Sequence, residues 1–473
     1  MDEAWDVLVV GGGLAGLAAA NRAADHGLRA LVLEQGEDAA YLCNSRITMG
    51  FFQIALHDIT SGAAALRQAI DRATRNHVAP ALADAFASSA GPAIQWLKAQ
   101  GVELVAGGGH AADTAQLAPQ VPWKPGLHWQ GRGGDVMLPR LADRLHARGG
   151  ALRRGMRARE LMLERGRCVG VVATSATATH RLAAGAVVIA DGGFQANAEL
   201  VRRHISPRPD RLLTRNAGTS RGDGLLMGLA AGAATTEMDR FYGHVQARDA
   251  MQKPGLWPYP TIDFPISAAI AVTGQGRRFT DEGLGGVAVA NAIARLDDPL
   301  DTVAIFDQAT WEACGKIYLV SANPYLDALG VTFHRAQTLD ELAARAGLPA
   351  APLAESVASF NRAVAEHALD RLDPPRSEDS GTPWGSRPIP ILRPPFYAVP
   401  LCAGITYTMG GLAIDPDARV LSQTGAAIPG LYGAGGSIGG TEGGPVTGYT
   451  GGLAKALIFG WRAGNAIAQD RGR

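Results

Sequence analysis

DVLVVGGGLAGLAAANRAADHGLRALVLE, residues 6–34, reads as a strand, a glycine turn, a helix and a second strand ending on an acid. Val7 to Val10 form a short apolar run of the kind that makes a buried parallel strand. Gly11, Gly13 and Gly16 then satisfy G-x-G-x-x-G, with Ala20 continuing the close-packing positions. The three glycines serve separate ends, which are a tight turn, room for a pyrophosphate against the backbone, and close packing of helix on strand. The alanine-rich residues 14–26 predict a helix with Gly27 as its C-cap, and residues 29–33 predict the second strand. A pyrophosphate would sit at the helix N-terminus, where unpaired N–H groups and the dipole favour negative charge. Glu34 stands 18 residues after Gly16, where a carboxylate accepts hydrogen bonds from ribose hydroxyls and repels a 2'-phosphate. The segment predicts a dinucleotide site for FAD or NAD rather than NADP.

With 473 residues and 47% hydrophobic content, the chain can bury a large core and is expected to form two domains. Lys plus Arg equals Asp plus Glu at 44 each, so no broad field recruits nucleic acid or an anionic membrane, and the expected partner is a small molecule. The first strand begins within a few residues of an acidic N-terminus, and no apolar stretch reaches membrane-spanning length without charges or turns. Cys43, Cys168, Cys314 and Cys402 are scattered without a C-x-x-C pair, which fits buried reduced thiols. These features together predict a soluble cytoplasmic protein. No group of His, Cys and acids has metal-ligand spacing, so no metal is expected.

The sixty glycines concentrate at residues 11–16, 185–193 and 430–452. The second cluster follows an apolar strand in AVVIADGGF, and the third follows GLYGAGG and precedes a helix over residues 453–469. A ligand beyond the carboxyl ends of parallel strands would be touched by all three. Residues 233–393 carry more aromatics, prolines and charge, and close with a proline-rich run. The expected fold class is α/β: a Rossmann-like FAD-binding domain (1–232 and 394–473) with an inserted α+β capping domain (233–393). GGGHAA, residues 107–112, imitates a second nucleotide turn, but Pro119, Pro122 and Pro125 forbid a sustained helix after it, and no second acid-ended strand follows. With one dinucleotide site, a bound flavin is favoured over exchangeable NAD.

The chain resembles the flavoproteins of the fumarate reductase and succinate dehydrogenase type, including 3-ketosteroid and tricarballylate dehydrogenases. The matching segments are the N-terminal fingerprint, VVIADGGF with Asn197, GTSRGDG at residues 218–224, GRRFTDE at 276–282, PPFYA with GITYTMGGLAID at 404–415, and PGLYGAGG. The resemblance implies FAD between a nucleotide domain and a cap, and redox chemistry at a carbon–carbon bond next to a carbonyl or carboxyl group. It places NSRITMGF, residues 44–51, beside the flavin ring. That segment lacks the histidine to which some relatives attach FAD, so non-covalent FAD is expected. The expected cofactor contacts are Gly11, Gly13, Ala15 and Gly16 in the first turn, Glu34 and Gln35 after the second strand, and Ser45, Thr48 and Gly50 along the ring segment. Asp191, Gly192 and Asp223 are expected from the second region, and Gly435, Gly436, Gly452 and Leu453 from the third.

Three departures bear on the reaction. Where fumarate reductases carry a proton-donating arginine after the GRRFTDE-like motif, this chain continues GLGGVAV, and Gly286 stands near that place. No arginine occurs between Arg419 and Arg462, and Tyr407 replaces the histidine that precedes the family's TMGG-like motif. Fumarate reduction in the usual manner is therefore not expected. The leading expectation is an FAD-dependent desaturase that makes a C=C bond alpha,beta to a carbonyl, passing a hydride to flavin N5. Its substrate would be a small ketone or oxo acid, and the resemblance suggests a ring ketone such as an oxocyclohexanecarboxylate, or a tricarballylate-like acid. Tyr407 is the candidate base; a phenol of pKa about 10 would need a helix N-terminus or a donated hydrogen bond to favour phenolate. Backbone N–H groups of GGPVTGYTGG, with Gly448 and the Tyr449 hydroxyl, are candidates for binding and stabilising an enolate. Arg46, Arg277 and Arg278 are candidates to pair with a substrate carboxylate. His57, His244 and His334 read as structural. The rival readings are an enoate reductase running the same bond change backwards and a non-catalytic flavin-binding partner or sensor. The electron acceptor is not specified by the sequence.

Overall fold

The computed structural model describes residues 5–107, 114–122, 124, 126, 128–256, 261–315, 326, 329–378 and 385–472. Strand β1 (Trp5–Val10), helix α1 (Leu14–Asp25) and strand β2 (Ala30–Leu33) form in the order expected. Helix α1 ends as its glycine demands: Gly27 takes φ +78°, and its N–H closes on the Ala24 carbonyl. Later come β3 (Ala151–Arg153) and the long β4 (Thr179–Ile189). They are followed by β5 (Phe241–Ala247), β6 (Ile270–Thr273), helix α2 (Gly286–Ala294) and β7 (Thr302–Asp307). The chain closes with β8 (Phe396–Thr408), β9 (Ala427–Gly433) and helix α3 (Gly452–Asp470).

The first sheet contains a parallel array in the order β9, β4, β1, β2, β3. Val7, Leu8 and Val9 are fully buried, as a strand covered on both faces requires. Each such side chain contributes roughly 1.5–3 kcal/mol by leaving water. On one face α1 packs against α3. That approach depends on Gly460, whose place could not carry a Cβ because the atom would stand 2.3 Å from the Ala15 carbonyl oxygen. The register decides where the site falls. Val10 lies opposite Ile189, and Ile189 lies opposite Gly433, so three adjacent strands end level. Each is followed at once by one of the three glycine clusters.

In the second sheet β8 is the central member. It pairs antiparallel with β5, β7 and the short strand His334–Ala336, and parallel with Leu213–Thr214; β6 completes the sheet against β7. This differs from the expected return to the nucleotide domain at residue 394. The proline-rich run before it marks a change of direction, but the next thirteen residues still pair in the second sheet. The register between β5 and β8 slips at one point: Tyr242 faces Tyr407, whereas Gly243 faces Ile405. Thr406 is the extra residue of this bulge, which turns the end of β8 so that Thr406 and Tyr407 both reach one cavity.

Cys168, Cys314 and Cys402 are buried free thiols, and Cys43 is a half-buried one. The GGGHAA segment lies outside the described residues apart from Gly107. Among the described residues, no helix is long and apolar enough to cross a membrane. At the start of α2 the chain passes so close to Asp263 that a Cβ on Gly286 would stand 2.2 Å from its carboxyl group. Gly286→Ala is expected to lower unfolding stability by about 1–3 kcal/mol through overpacking, read by chemical denaturation.

Candidate active site

A cavity of about 320 Å³ opens at the level ends of β1, β4 and β9, with residues of the second sheet on its far wall. From the first turn, Gly11, Gly13 and Ala15 line it. Gly11 takes φ +106°, and a Cβ there would stand 2.5 Å from the Ala190 carbonyl oxygen. Gly16 lies behind the wall, where a Cβ would meet the Gly11 carbonyl at 2.0 Å, so its part is helix packing. After β2, Glu34 and Gln35 reach the cavity. The Glu34 carboxylate accepts the Gly12 N–H at 2.9 Å and the Gly36 N–H at 2.8 Å, while burial raises its pKa.

After β4 stand Asp191 and Gly192, and after β9 Gly435 and Gly436. Ser437 ties these two turns together: its hydroxyl donates to Asp191 at 2.9 Å and accepts the Gly192 N–H at 3.0 Å. Asp223 also lines the cavity, holding Arg157 through two bonds of 2.6 and 2.8 Å. Ser45 and Thr48 contribute from the ring segment, and Gly452 and Leu453 from the start of α3. Gly50 does not line the cavity; its φ of +88° serves a turn packed on Leu117. Side chains at Gly11, Gly192 and Gly435 would collide with the neighbouring turns, so glycine there lets the turns close together around the groove, and the acid ending β2 stands where ribose hydroxyls need an acceptor. These residues fit a dinucleotide flavin.

The far wall is aromatic. Tyr242 stacks on Tyr449, with ring centroids 3.9 Å apart and planes at 15°, and meets Tyr407 at 5.3 Å. The Tyr407 hydroxyl donates to Glu442 at 3.0 Å, and the other oxygen of that carboxylate accepts from the Lys455 ammonium at 3.0 Å. Burial, then the Glu442 charge, push the Tyr407 phenol well above its ordinary pKa. Tyr449 differs: its oxygen accepts the Gly452 N–H at 3.3 Å. Its phenol is pushed up to about 12 by burial, with that N–H pulling the other way. His244 bonds the Tyr242 hydroxyl at 3.0 Å through Nε2 and pairs with Asp263 through Nδ1. Burial lowers its pKa, against the opposing pull of the Asp263 carboxylate.

Residues 6–448 match the family described as FAD binding domain. The chain belongs to that family. It is 26% identical over 476 residues to the fumarate reductase (cytochrome) of Shewanella frigidimarina, covering 98% of this chain and 77% of the relative. It is 32% identical over 325 residues to the 4-oxocyclohexanecarboxylate 2-dehydrogenase of Sinomonas cyclohexanicum, covering 64% of this chain and 54% of the relative. The chain spans from 34% to 77% of the length of the first curated relatives it matches. The same fold occurs in the crystal structure of 3-ketosteroid delta1-dehydrogenase from Sterolibacterium denitrificans, with TM-score 0.73, 23% identity, and 99% and 100% of the two chains covered. FAD is the cofactor that the family and the cavity share.

Around the FAD site, several residues expected to bind substrate stand elsewhere. Arg46 is buried behind the cavity wall, donating to the Tyr41 carbonyl at 2.7 Å and paired with Asp135. Arg278 is spent on Glu282, with bonds of 3.0 and 2.5 Å, and on the Pro374 and Thr280 carbonyls. Arg277 is exposed and pairs with Glu355 at 3.2 Å. Gly448 exchanges two 2.8 Å bonds with Gly443 and packs on the Ala73 carbonyl, outside the cavity. The loop's N–H groups do not converge as expected: Gly444 donates to Glu237 and Thr447 to Gly444, which leaves Gly452 as the donor aimed at Tyr449.

The residues brought together without having been expected are Tyr242, His244, Glu442, Lys455 and Arg215. FYGHVQA carries a readable signal for the first two, because alternate residues of a strand share a face. A lysine inside the apolar run GLAKALIFG likewise signals a buried partner.

Asp191 responds to pH. Burial pushes its carboxyl up from 3.8 to about 6, against the pull of the Gly224 N–H and the Ser437 hydroxyl. Since the folded value exceeds the unfolded one, its stabilising contribution is complete below about pH 4 and is lost as pH rises through about 6. FAD-free protein is expected to melt at lower temperature as pH rises across that window, and Asp191→Asn to flatten the slope, read by circular dichroism.

Proposed function

We propose that the protein is an FAD-dependent dehydrogenase that introduces a C=C bond alpha,beta to the carbonyl of a small ketone or oxo acid, such as an oxocyclohexanecarboxylate. The observation that carries this reading is a pair of phenols with opposite surroundings on the wall facing the FAD cradle. The Tyr407 hydroxyl donates a hydrogen bond to a carboxylate, whereas the Tyr449 oxygen accepts one from a backbone N–H. The first arrangement suits proton removal and the second suits donation to a developing enolate oxygen.

Bound FAD supplies the hydride acceptor. The chain's own residues handle the proton. With its pKa raised, Tyr407 rests as a neutral phenol, so it acts as a relay rather than as a stored phenolate. As its oxygen takes the proton alpha to the carbonyl, its own proton moves along the 3.0 Å bond to Glu442. Lys455 fixes that carboxylate's position through its other oxygen. Tyr449 meets the carbonyl oxygen with its hydroxyl, and the Gly452 N–H on that oxygen offsets part of the rise burial gives its pKa.

The relatives named for desaturating a ring oxo acid and for reducing fumarate support the two directions of one bond change. The region around Gly286 favours desaturation. The space beside it, where the resemblance to fumarate reductases puts an arginine, is filled by the Asp263 carboxyl.

Anaerobic mixing with 4-oxocyclohexanecarboxylate is expected to bleach the oxidised flavin, while reoxidation of reduced flavin by an enoate without such bleaching would reverse the direction assigned. Tyr407→Phe is expected to slow the bleaching by about 10²- to 10⁴-fold, and Tyr449→Phe by about 10²-fold. An unchanged rate in the first variant would remove Tyr407 from the proton path.

A further inference from the structure

Arg215 brings an unanswered positive charge to the same wall. The short strand Leu213–Thr214 runs beside β8 in the register Leu213 to Gly404 and Thr214 to Ile405. The Arg215 N–H continues that ladder to the Ile405 carbonyl at 2.9 Å, and the Asn216 side chain holds the same carbonyl at 2.9 Å. The stem then passes over Gly404, where a Cβ would already stand 3.5 Å from the Arg215 Cδ. Its Nη1 donates to the hydroxyl of Thr406, the bulge residue, at 2.8 Å. The guanidinium is thus placed by backbone, stem and tip, one residue from Tyr407.

Its Nε is enclosed and, among the described residues, has no hydrogen-bond partner. Among the described residues no carboxylate pairs with it, although it lines the cavity with Tyr242, His244 and Tyr407. Two other cations of this cavity show the contrast: Arg157 is held by Asp223 and Lys455 by Glu442. An enclosed N–H without an acceptor is costly, and a guanidinium held in place presents parallel donors that match the two oxygens of a carboxylate.

We propose that Arg215 binds a carboxylate of the substrate, so that the substrate class is the oxo acid and not the neutral ketone. This rests on the desaturase reading: the carbonyl oxygen lies at Tyr449, the carbon losing its proton at Tyr407, and the acid group at Arg215. The site selects by charge, since an uncharged ligand of the same ring shape leaves the guanidinium desolvated and unpaired.

The test compares 4-oxocyclohexanecarboxylate with its uncharged methyl ester, each titrated into the oxidised holoenzyme and followed by the perturbation of the flavin absorption spectrum. The acid is expected to bind wild type at least about tenfold tighter than the ester, and Arg215→Gln to weaken the acid by about 30- to 100-fold with the ester changed less than about twofold. Arg215→Lys, which keeps the charge without the fork, is expected to recover part of the loss. Equal binding of acid and ester by wild type overturns the proposal, and so does undiminished acid binding by an Arg215→Gln protein with full FAD content. Anaerobic bleaching in the same samples reports on the parent reading separately. Charge discrimination without bleaching upholds the Arg215 site and removes desaturation; bleaching without discrimination upholds desaturation and removes the Arg215 site.

Discussion

The site depends first on three parallel strands ending at the same height. Val10, Ile189 and Gly433 lie in one row across the first sheet, so the backbone beyond each turns away from the sheet at the same edge. A groove forms there because the turning residues are glycines that approach one another more closely than any side chain allows. Slipping one of these strands by a residue would reverse which of its side chains face each helix layer and would misalign its turn with the other two.

The second constraint is local. One bulge between β5 and β8 makes Thr406 surplus to the ladder and turns it, with Tyr407, toward the groove. A regular pairing would send adjacent residues to opposite faces and leave only one of them there. The bulge therefore sets a phenol and the anchor of a guanidinium side by side. Gly243 makes the tight crossing possible, since a Cβ on it would stand 2.0 Å from the Gly404 carbonyl oxygen.

How much of this was legible in the sequence follows the range of the interactions. The first turn, its helix and the acid after it are encoded within one contiguous stretch, and each later glycine cluster follows its own apolar strand. The surroundings of individual charges were less accessible. Arg46 looks like a ligand-binding arginine until Asp135, distant in sequence, is found against it. Arg278 could have been set aside on local grounds, because an opposite charge, Glu282, lies only four residues further along in the same motif. The strand after the proline-rich run was misplaced because prolines report a break in direction and say nothing of which sheet the chain joins next. Arg215 carries no local mark; only its parallel register with β8 brings it to the cavity.

Strand β8 also joins the two sheets. Thr408, its last residue, accepts the N–H of Phe194 from the turn after β4. Tyr407 rides on the second sheet, while Glu442 is bound to Lys455 of a helix packed on the first. The phenol and its acceptor are thus fixed to opposite jaws. In the proposed relay the proton therefore passes between two layers of the fold, and the alignment of donor and acceptor is set by how those layers pack rather than by either one alone.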